Sequence, residues 1–542
     1  MRGAGSGGLP HRLAVHRHRV PLRRALPVMV TRATCRPAKA ARLARQRMIA
    51  RACLAGALLL AGCGKTEPPA PRAQAGSVAN RPAMAPVAAS PASAASAALG
   101  PPSLQVATQG ETRRADAAML ERGRYLATAA DCAACHDGAN HQPLAGGLAV
   151  NSPFGPIYAP NITPDPVHGI GRYTYRQFDD ALRRGIRADG ARLYPAMPYA
   201  SYARLDDSDT EALYAYLMRG VAPSANAAPA TRLPFPFNQR WGLAIWSLLF
   251  GNTQRFVPSP AQSAQWNRGA YLVQGAGHCG ACHTPRGPAY NERGYDQTSP
   301  AFLTGGLNDN WFAPNLTGEE VDGLGRWSAD DIAAFLGTGH ARGAAVFGAM
   351  APAVSESTSR LSEDDRHAIA IYLKSLPARA TAAANPLAIG TPRATRAGPD
   401  PRGGQLAPGA GLYAGFCARC HGADGKGVAG HGPALDGNPI VVAANATSTI
   451  RIVVEGSTAP PATQASADST TSAGSSVSPA SATSTASPAE AAGSMPAMPA
   501  MGRELNAAEI ADVVSYLRGA WSNRAAPVST HEVRTLREAI HH

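Results

Sequence analysis

The sequence predicts a mainly α-helical chain built from three tandem units of one kind. Three observations lead to this prediction. A Cys-x-x-Cys-His motif occurs three times, and a Gly-x-Tyr precedes each copy. A helical stretch containing Tyr-Leu follows each motif after roughly 80 to 100 residues. Self-similarity of this kind indicates one structural unit used three times.

The repeated cysteine motif favours covalent attachment of haem c. Two thiols at this spacing add to the vinyl groups of one haem, and the next histidine reaches the iron as proximal ligand. A zinc site would not require a histidine at the same offset three times, and a redox dithiol would need only one reactive pair. The predicted thioether residues are Cys132, Cys135, Cys279, Cys282, Cys417 and Cys420, and the predicted proximal ligands are His136, His283 and His421.

A methionine in each unit is the predicted second axial ligand of the iron, with a space-filling core methionine as the structural alternative. Met197 in LYPAMPY and Met350 in FGAMAP lie 19 and 22 residues before the tyrosine of their final helix. In unit three, both Met495 and Met498 fit this interval, and Met501 lies too close to the helix. Met495 and Met498 both precede a proline, as Met197 does; Met498 is the preferred ligand and Met495 is the second choice.

Histidine is the alternative axial ligand. His168, His340 and His431 lie in the corresponding windows, and His278 directly precedes Cys279. Ligation by two histidines would lower the reduction potential, and a solvated loop histidine is the structural alternative at each position.

Helices are predicted on both sides of each motif. The glycine of each Gly-x-Tyr would let the first helix approach the last one closely, and the tyrosine would pack into the crossing. The pairs are Gly123 and Tyr125, Gly269 and Tyr271, and Gly411 and Tyr413; the final helices are predicted within 211–220, 367–376 and 511–520.

The N-terminal region indicates export. Residues 1–62 form a leader in which an apolar run of about a dozen residues follows Arg51. Residues 1–47 are rich in Arg and have no apolar period, which is best explained if Met48 is the true start. Leu-Ala-Gly before Cys63 resembles a bacterial lipobox, which predicts lipidation of Cys63 and a membrane anchor without a transmembrane helix. An ordinary secretory signal is the alternative. Residues 63–112 are rich in Ala and Pro and are predicted to form a disordered stalk.

The net charge of +14 does not indicate a nucleic-acid partner. Residues 1–62 hold 12 Arg, one Lys and no acidic residue, whereas the rest of the chain carries 38 basic and 37 acidic side chains. The basic character therefore belongs to the leader and not to a folded surface.

Two further segments stand out. Residues 241–250, WGLAIWSLLF, are apolar with two tryptophans and favour either a membrane-interface position or a packed linker helix. Residues 457–494 are a low-complexity Ser/Ala/Thr/Pro insertion within unit three and are predicted to be disordered.

The three motifs, the APNITPD and GIGRYT stretches, LYPAMPY and RLPFPFNQRWGLAIWSLLF together resemble the three-haem cytochrome c subunit of bacterial membrane-bound dehydrogenases acting on alcohols, gluconate or sorbitol. The resemblance covers about residues 115–530 and is looser in unit three. It implies a mainly α fold with three tandem class I cytochrome c domains after a signal and a disordered stalk. The expected boundaries are 113–225, 261–380 and 405–525, joined by an apolar connection (226–260) and a linker (381–404), with a tail (526–542).

The resemblance also implies a division of labour. A separate catalytic subunit carrying pyrroloquinoline quinone, flavin or molybdenum would oxidise the substrate, and three covalent haem c groups would pass electrons to ubiquinone or another carrier. The expected location is the periplasmic side of a bacterial membrane, with a lipid anchor in the inner membrane. Three alternatives stay open: a cytochrome subunit of a molybdenum hydroxylase or aldehyde dehydrogenase, a haem enzyme with an open coordination site, and a mobile redox carrier or sensor without a fixed dehydrogenase.

Overall fold

The computed structural model describes residues 109–138, 141–381, 407–457 and 496–540. The leader, Cys63, most of the predicted stalk, the linker from residue 382, almost all of the insertion and Met495 lie outside the described residues. Among the helices of the described ranges, none has both the length and the apolar character needed to cross a membrane.

The mainly α prediction is confirmed, since the only strands in the described ranges form three short antiparallel ribbons. Unit one contains α1 (Gln109–Ala129), α2 (Cys132–His136), β1 (Ala149–Val150), β2 (Ile157–Tyr158), α3 (Tyr175–Arg184), α4 (Tyr199–Tyr202) and α5 (Asp207–Arg219). Helix α6 (Trp241–Phe250) follows. Unit two contains α7 (Ala264–Gln274), α8 (Gly280–His283), β3 (Gly306–Asn308), β4 (Trp311–Ala313), α9 (Ala329–Thr338), β5 (His340–Ala341), β6 (Ala344–Ala345), α10 (Met350–Pro352) and α11 (Glu363–Lys374).

Unit three is the most purely helical of the three. It contains α12 (Ala407–Phe416), α13 (Ala418–His421), α14 (Pro439–Val442), α15 (Thr447–Glu455), α16 (Ala507–Gly519) and α17 (Thr530–Ile540). Helix α17 lies in the segment predicted as a tail, and its Val533 and Leu536 are buried in the core of this unit.

The first and last helices of each unit cross as predicted, pairing α1 with α5, α7 with α11 and α12 with α16. A Cβ at Gly123 or Gly269 would overlap a carbonyl oxygen of the partner helix, so glycine is required at both crossings. In unit three the prediction of Gly411 is wrong. Gly409 lies at the crossing, whereas a Cβ at Gly411 would have no neighbour within 4 Å.

The tyrosines of units one and two do not pack into their own crossings as predicted. Tyr125 extends from unit one to Asp365 of unit two, and Tyr271 extends from unit two to Asp209 of unit one. Tyr413 alone stays within its unit, where its hydroxyl donates to a backbone carbonyl just after the cysteine motif. Units one and two therefore share a boundary that unit three does not reproduce.

Hydrophobic packing divides the molecule in the same way. Units one and two share one continuous buried cluster, and unit three has its own. A small third cluster joins Leu307 and Phe312 of unit two to Ala443 of unit three. Unit two thus contacts both of the others.

The final helices of units two and three each begin with a side-chain cap. The side chain of Ser362 accepts a hydrogen bond from the backbone of Asp365 at the start of α11. Asn506 and Glu509 form a complete capping box at the start of α16. These side chains satisfy backbone N–H groups that a helix end leaves without partners.

Candidate haem sites

Each cysteine motif forms one helical turn directly after the first helix of its unit. In units two and three the backbone N–H of the histidine bonds to the carbonyl of the first cysteine, at 2.9 Å for His283 and 3.0 Å for His421. In unit one the whole motif lies in α2. The six motif cysteines carry free thiols. The turn therefore presents two thiols and one imidazole from five consecutive residues.

The motif histidine of each unit is held by the carbonyl oxygen of a proline. In all three units Nδ1 lies 2.8 Å from that oxygen, so Nδ1 carries the proton and Nε2 keeps a free lone pair. The pairs are His136 with Pro160, His283 with Pro314, and His421 with Pro433. A carbonyl partner of this kind fixes the ring orientation and makes Nε2 a better metal ligand.

Burial lowers the pKa of each of these three imidazoles, which favours the neutral form that binds a metal. The prolines were not recognised from the sequence as partners of the histidines. The available signal was the Ala-Pro-Asn that is repeated in units one and two, together with the Gly-Pro-Ala that follows the third motif.

The methionines predicted as ligands all pack at the edge of a buried cluster. Met197 and Met350 lie against the core shared by units one and two, and Met498 lies against the core of unit three. Met350 begins the short helix α10, which is followed by a π-helical turn. Met498 is fixed by two hydrogen bonds with Ser457, from N to Oγ at 3.0 Å and from Ser457 N to the Met498 carbonyl at 2.9 Å.

The protein family follows from a comparison with known families. The family model described as cytochrome c matches residues 120–220, 267–377 and 406–521. The chain belongs to the cytochrome c family. Each matched range holds one cysteine motif, and covalent haem c is the cofactor of such domains. The residues fit this group, because each unit offers two free thiols and an imidazole whose Nε2 is available.

Known cytochrome subunits are similar to this cytochrome over most of its length. The cytochrome c subunit of the quinone-type alcohol dehydrogenase of Gluconacetobacter polyoxogenes is 43% identical over 441 residues, covering 79% of this chain and 86% of the relative. The gluconate 2-dehydrogenase cytochrome c subunit of Pantoea cypripedii is 40% identical over 436 residues (78% and 91%). The fructose dehydrogenase cytochrome subunit of Gluconobacter japonicus is 38% identical over 437 residues (77% and 82%).

The alternative histidine ligands differ in their surroundings. His168 is exposed and lies 3.4 Å from the carboxylate of Asp165, and His431 is exposed in a turn. His340 is different, because its Nδ1 bonds to the carbonyl of Thr338 at 2.9 Å while its buried Nε2 has no hydrogen-bond partner within the described ranges. Among these three, His340 alone has a buried ring nitrogen that bears no hydrogen bond within the described ranges, so it stays the alternative ligand in unit two.

A cavity of about 780 Å³ lies beside the first motif of the cytochrome, at the junction of units one and two. It is lined by Cys132 and Asp131 from unit one and by Glu356 and Arg360 from unit two, but not by His136. One carboxylate oxygen of Asp131 is buried without a hydrogen-bond partner in the described part of the chain. This cavity therefore has a mixed polar and apolar lining next to the motif and is not the space between the predicted axial ligands.

Proposed function

We propose that this cytochrome relays electrons from the catalytic subunit of a periplasmic dehydrogenase to ubiquinone or another respiratory-chain acceptor. The observation that carries the proposal is the threefold recurrence of a motif histidine held by a prolyl carbonyl. The similarity to cytochrome subunits of alcohol, gluconate and fructose dehydrogenases supports the nature of the partner. The catalytic subunit would carry pyrroloquinoline quinone, flavin or molybdenum.

The proposed roles of the side chains follow the predicted motifs. Haem c, when bound, supplies one-electron redox chemistry. The six motif cysteines would form thioethers with three haem c groups. His136, His283 and His421 would bind the haem irons, and Met197, Met350 and Met498 are the proposed second ligands. The prolyl carbonyls keep each histidine in the tautomer that leaves Nε2 free.

Contacts between the units support a relay in which unit two lies between the other two. Its boundary with unit one contains the two tyrosine–aspartate hydrogen bonds. Its boundary with unit three contains Ser448, whose Oγ accepts from the backbone of Phe312 at 2.8 Å. There Arg451 also stacks over the ring of Trp311, with the guanidinium carbon 4.3 Å from the ring centroid. Electrons entering at either end would therefore pass through unit two.

Membrane association is proposed through two separate features. Lipidation of Cys63 would anchor the chain on the periplasmic face of the inner membrane. Helix α6 adds an exposed apolar surface, because Trp241, Leu248 and Leu249 are 69%, 84% and 66% exposed and none of its side chains is buried. Trp and Leu on such a helix suit the interface of a bilayer.

These two membrane contacts can be tested separately. Replacing both Leu248 and Leu249 with Glu should weaken binding of the non-lipidated protein to phospholipid vesicles. Val321→Glu, at an exposed apolar residue outside α6, is the matched control and should have no effect. Cys63→Ser should release the mature protein from the membrane fraction, and retention of both kinds of variant would contradict the proposed attachment.

The relay itself is tested by purification from detergent-solubilised membranes. The proposal expects a large dehydrogenase subunit to copurify with the cytochrome and expects one class of alcohol, sugar, sugar acid or aldehyde to reduce the haems in membranes. A high-spin haem that binds carbon monoxide in the isolated protein would contradict a pure relay and favour a haem enzyme with an open coordination site.

A further inference from the structure

His278 directly precedes the first cysteine of unit two and lies at the boundary with unit one. Its imidazole Nε2 is 3.3 Å from the backbone carbonyl oxygen of Ala130. Because a carbonyl oxygen can only accept, Nε2 must carry the proton of this hydrogen bond. Burial lowers the pKa of His278, so the imidazole is neutral at neutral pH and has one proton to donate.

The carbonyl of Ala130 is shared by two donors. The hydroxyl of Tyr202 donates to the same oxygen at 2.9 Å. The ring of Tyr202 also meets the imidazole of His278 edge to face, with centroids 5.7 Å apart. The imidazole therefore has a fixed position between a hydrogen bond and an aromatic contact, both to unit one.

This hydrogen bond connects the two cysteine motifs by a short covalent route. His278 is bonded to Cys279, and only Asp131 separates Ala130 from Cys132. The two tyrosine–aspartate bonds of the same boundary join helices and not motifs. The electronic coupling that permits tunnelling falls off less steeply with distance along covalent and hydrogen bonds than across a space between atoms that are not bonded. The route through His278 is therefore suited to electronic coupling.

We propose that His278 is a positioning residue for electron transfer between units one and two, holding the two cysteine motifs at a fixed separation and providing the hydrogen-bonded route between them. This inference rests on the proposed relay function. When both motifs carry haem c, one electron would pass from the reduced haem of one unit to the oxidised haem of the other. His278 keeps its proton and its own electrons throughout, so no further reactant is needed.

The test uses the full haem-loaded protein and follows the redistribution of an electron among the haems by transient absorption after photochemical reduction. His278→Phe keeps a ring against Tyr202 but has no N–H to donate. We expect a several-fold slower exchange between two of the haems, with unchanged haem content, low-spin spectra and midpoint potentials. His278→Gln keeps a donor and is expected to restore most of the rate, which a purely space-filling role would not predict.

Tyr202→Phe is the matched control, because it removes the other donor to the same carbonyl without touching the link between units. It should leave the exchange rate unchanged. If His278→Phe does not load haem, His278→Met removes the donor with a flexible side chain and takes its place. An unchanged rate in the donor-free variant overturns the inference. Absence of any exchange between haems in the unmodified protein would instead overturn the proposed relay.

Discussion

The hydroxyl of Tyr271 lies 2.6 Å from a carboxylate oxygen of Asp209, across the boundary between units two and one. Tyr125 makes the reciprocal bond to Asp365, also at 2.6 Å. The two tyrosines occupy equivalent places in their units, and so do the two aspartates, each near the start of a final helix. The boundary is therefore built twice from the same pair of residues, as in a two-fold symmetric dimer.

Each of these carboxylates is also bonded by an arginine of its own unit. Arg122 Nε donates to Asp209 at 2.6 Å, and Arg268 Nε donates to Asp365 at 2.7 Å. The charge of each partly or fully buried aspartate is thus compensated within its unit, and the tyrosine adds a bond between units.

Tyr271→Phe should destabilise the pair formed by units one and two. A hydrogen bond to a charged group contributes about 1.5–3 kcal/mol to the free energy of unfolding, and Asp209 is only 2% exposed. Tyr125→Phe should cost less because Tyr125 is more accessible. Calorimetry measures both effects. Tyr413→Phe, which removes a bond inside unit three, is the control and should leave the transition of units one and two in place.

Gly409, at the helix crossing of unit three, and Gly411, outside it, differ sharply in whether they tolerate an added methyl group. Gly409→Ala should destabilise unit three by about 1–3 kcal/mol or more, because the added methyl group overlaps a carbonyl of α16. Gly411→Ala, two residues away in the same helix, should instead stabilise it by about 0.5–1 kcal/mol, since nothing opposes the methyl group and alanine favours helix. Thermal unfolding compares the two variants, and equal effects would contradict the assignment of Gly409 to the crossing.

Met498→Ala should remove low-spin ligation at one haem only. The measurement is the absorption spectrum of the haem-loaded protein, in which one third of the haem should become high-spin. Met501→Ala is the control, because Met501 also packs against the core of unit three. If Met498→Ala leaves the spectrum intact and Met495→Ala changes it, then Met495 and not Met498 is the ligand.

Unit two allows a direct comparison of methionine with histidine. Met350→Ala should convert one haem to the high-spin form, and His340→Ala should leave the spectrum unchanged. In the part of the chain that the structure describes, the buried Nε2 of His340 has no hydrogen-bond partner, and the opposite result would identify His340 as the ligand. If His340 binds the iron, that haem should have a lower midpoint potential than a methionine-ligated one, and the histidine variant should raise it.

The raised pKa of Asp131 predicts that the free energy of unfolding depends on pH. Burial, with Glu356 nearby, raises the pKa of Asp131 to about 7. Folding therefore takes up a proton between about pH 4 and pH 7, and the free energy of unfolding falls as the pH rises through this range. Asp131→Asn should remove this loss, which amounts to at most about 4 kcal/mol above pH 7 at 1.36 kcal/mol per pH unit.

Unfolding measured across this pH range checks the prediction. Below about pH 4 the variant should gain nothing, because the carboxyl is protonated in both states. Glu356→Gln is the companion variant and should lower the pKa of Asp131, which reduces the pH dependence without abolishing it. A gain of stability at acid pH in Asp131→Asn would contradict the explanation.

Local features of this fold could be predicted from the sequence, whereas features that depend on distant contacts could not. The cysteine motifs, the capped final helices and their crossings follow from short-range patterns. Gly409 precedes its cysteine by eight residues, whereas the corresponding Gly123 and Gly269 precede theirs by nine and ten. Gly409 was therefore missed, and Gly411 was chosen because it has the same spacing to its tyrosine. The partners of Tyr125 and Tyr271 belong to another unit, and no local pattern contains them.

The bond pair between Ser457 and Met498 has a consequence for engineering this protein. The chain leaves unit three at Ser457 and returns at residues 496–498, and the two hydrogen bonds hold the ends of the intervening stretch side by side. The entropy of closing a loop whose ends are held together changes only slowly with its length. This site should therefore tolerate insertions and deletions. The native stretch can be shortened, or it can be exchanged for a compact reporter domain whose termini are adjacent.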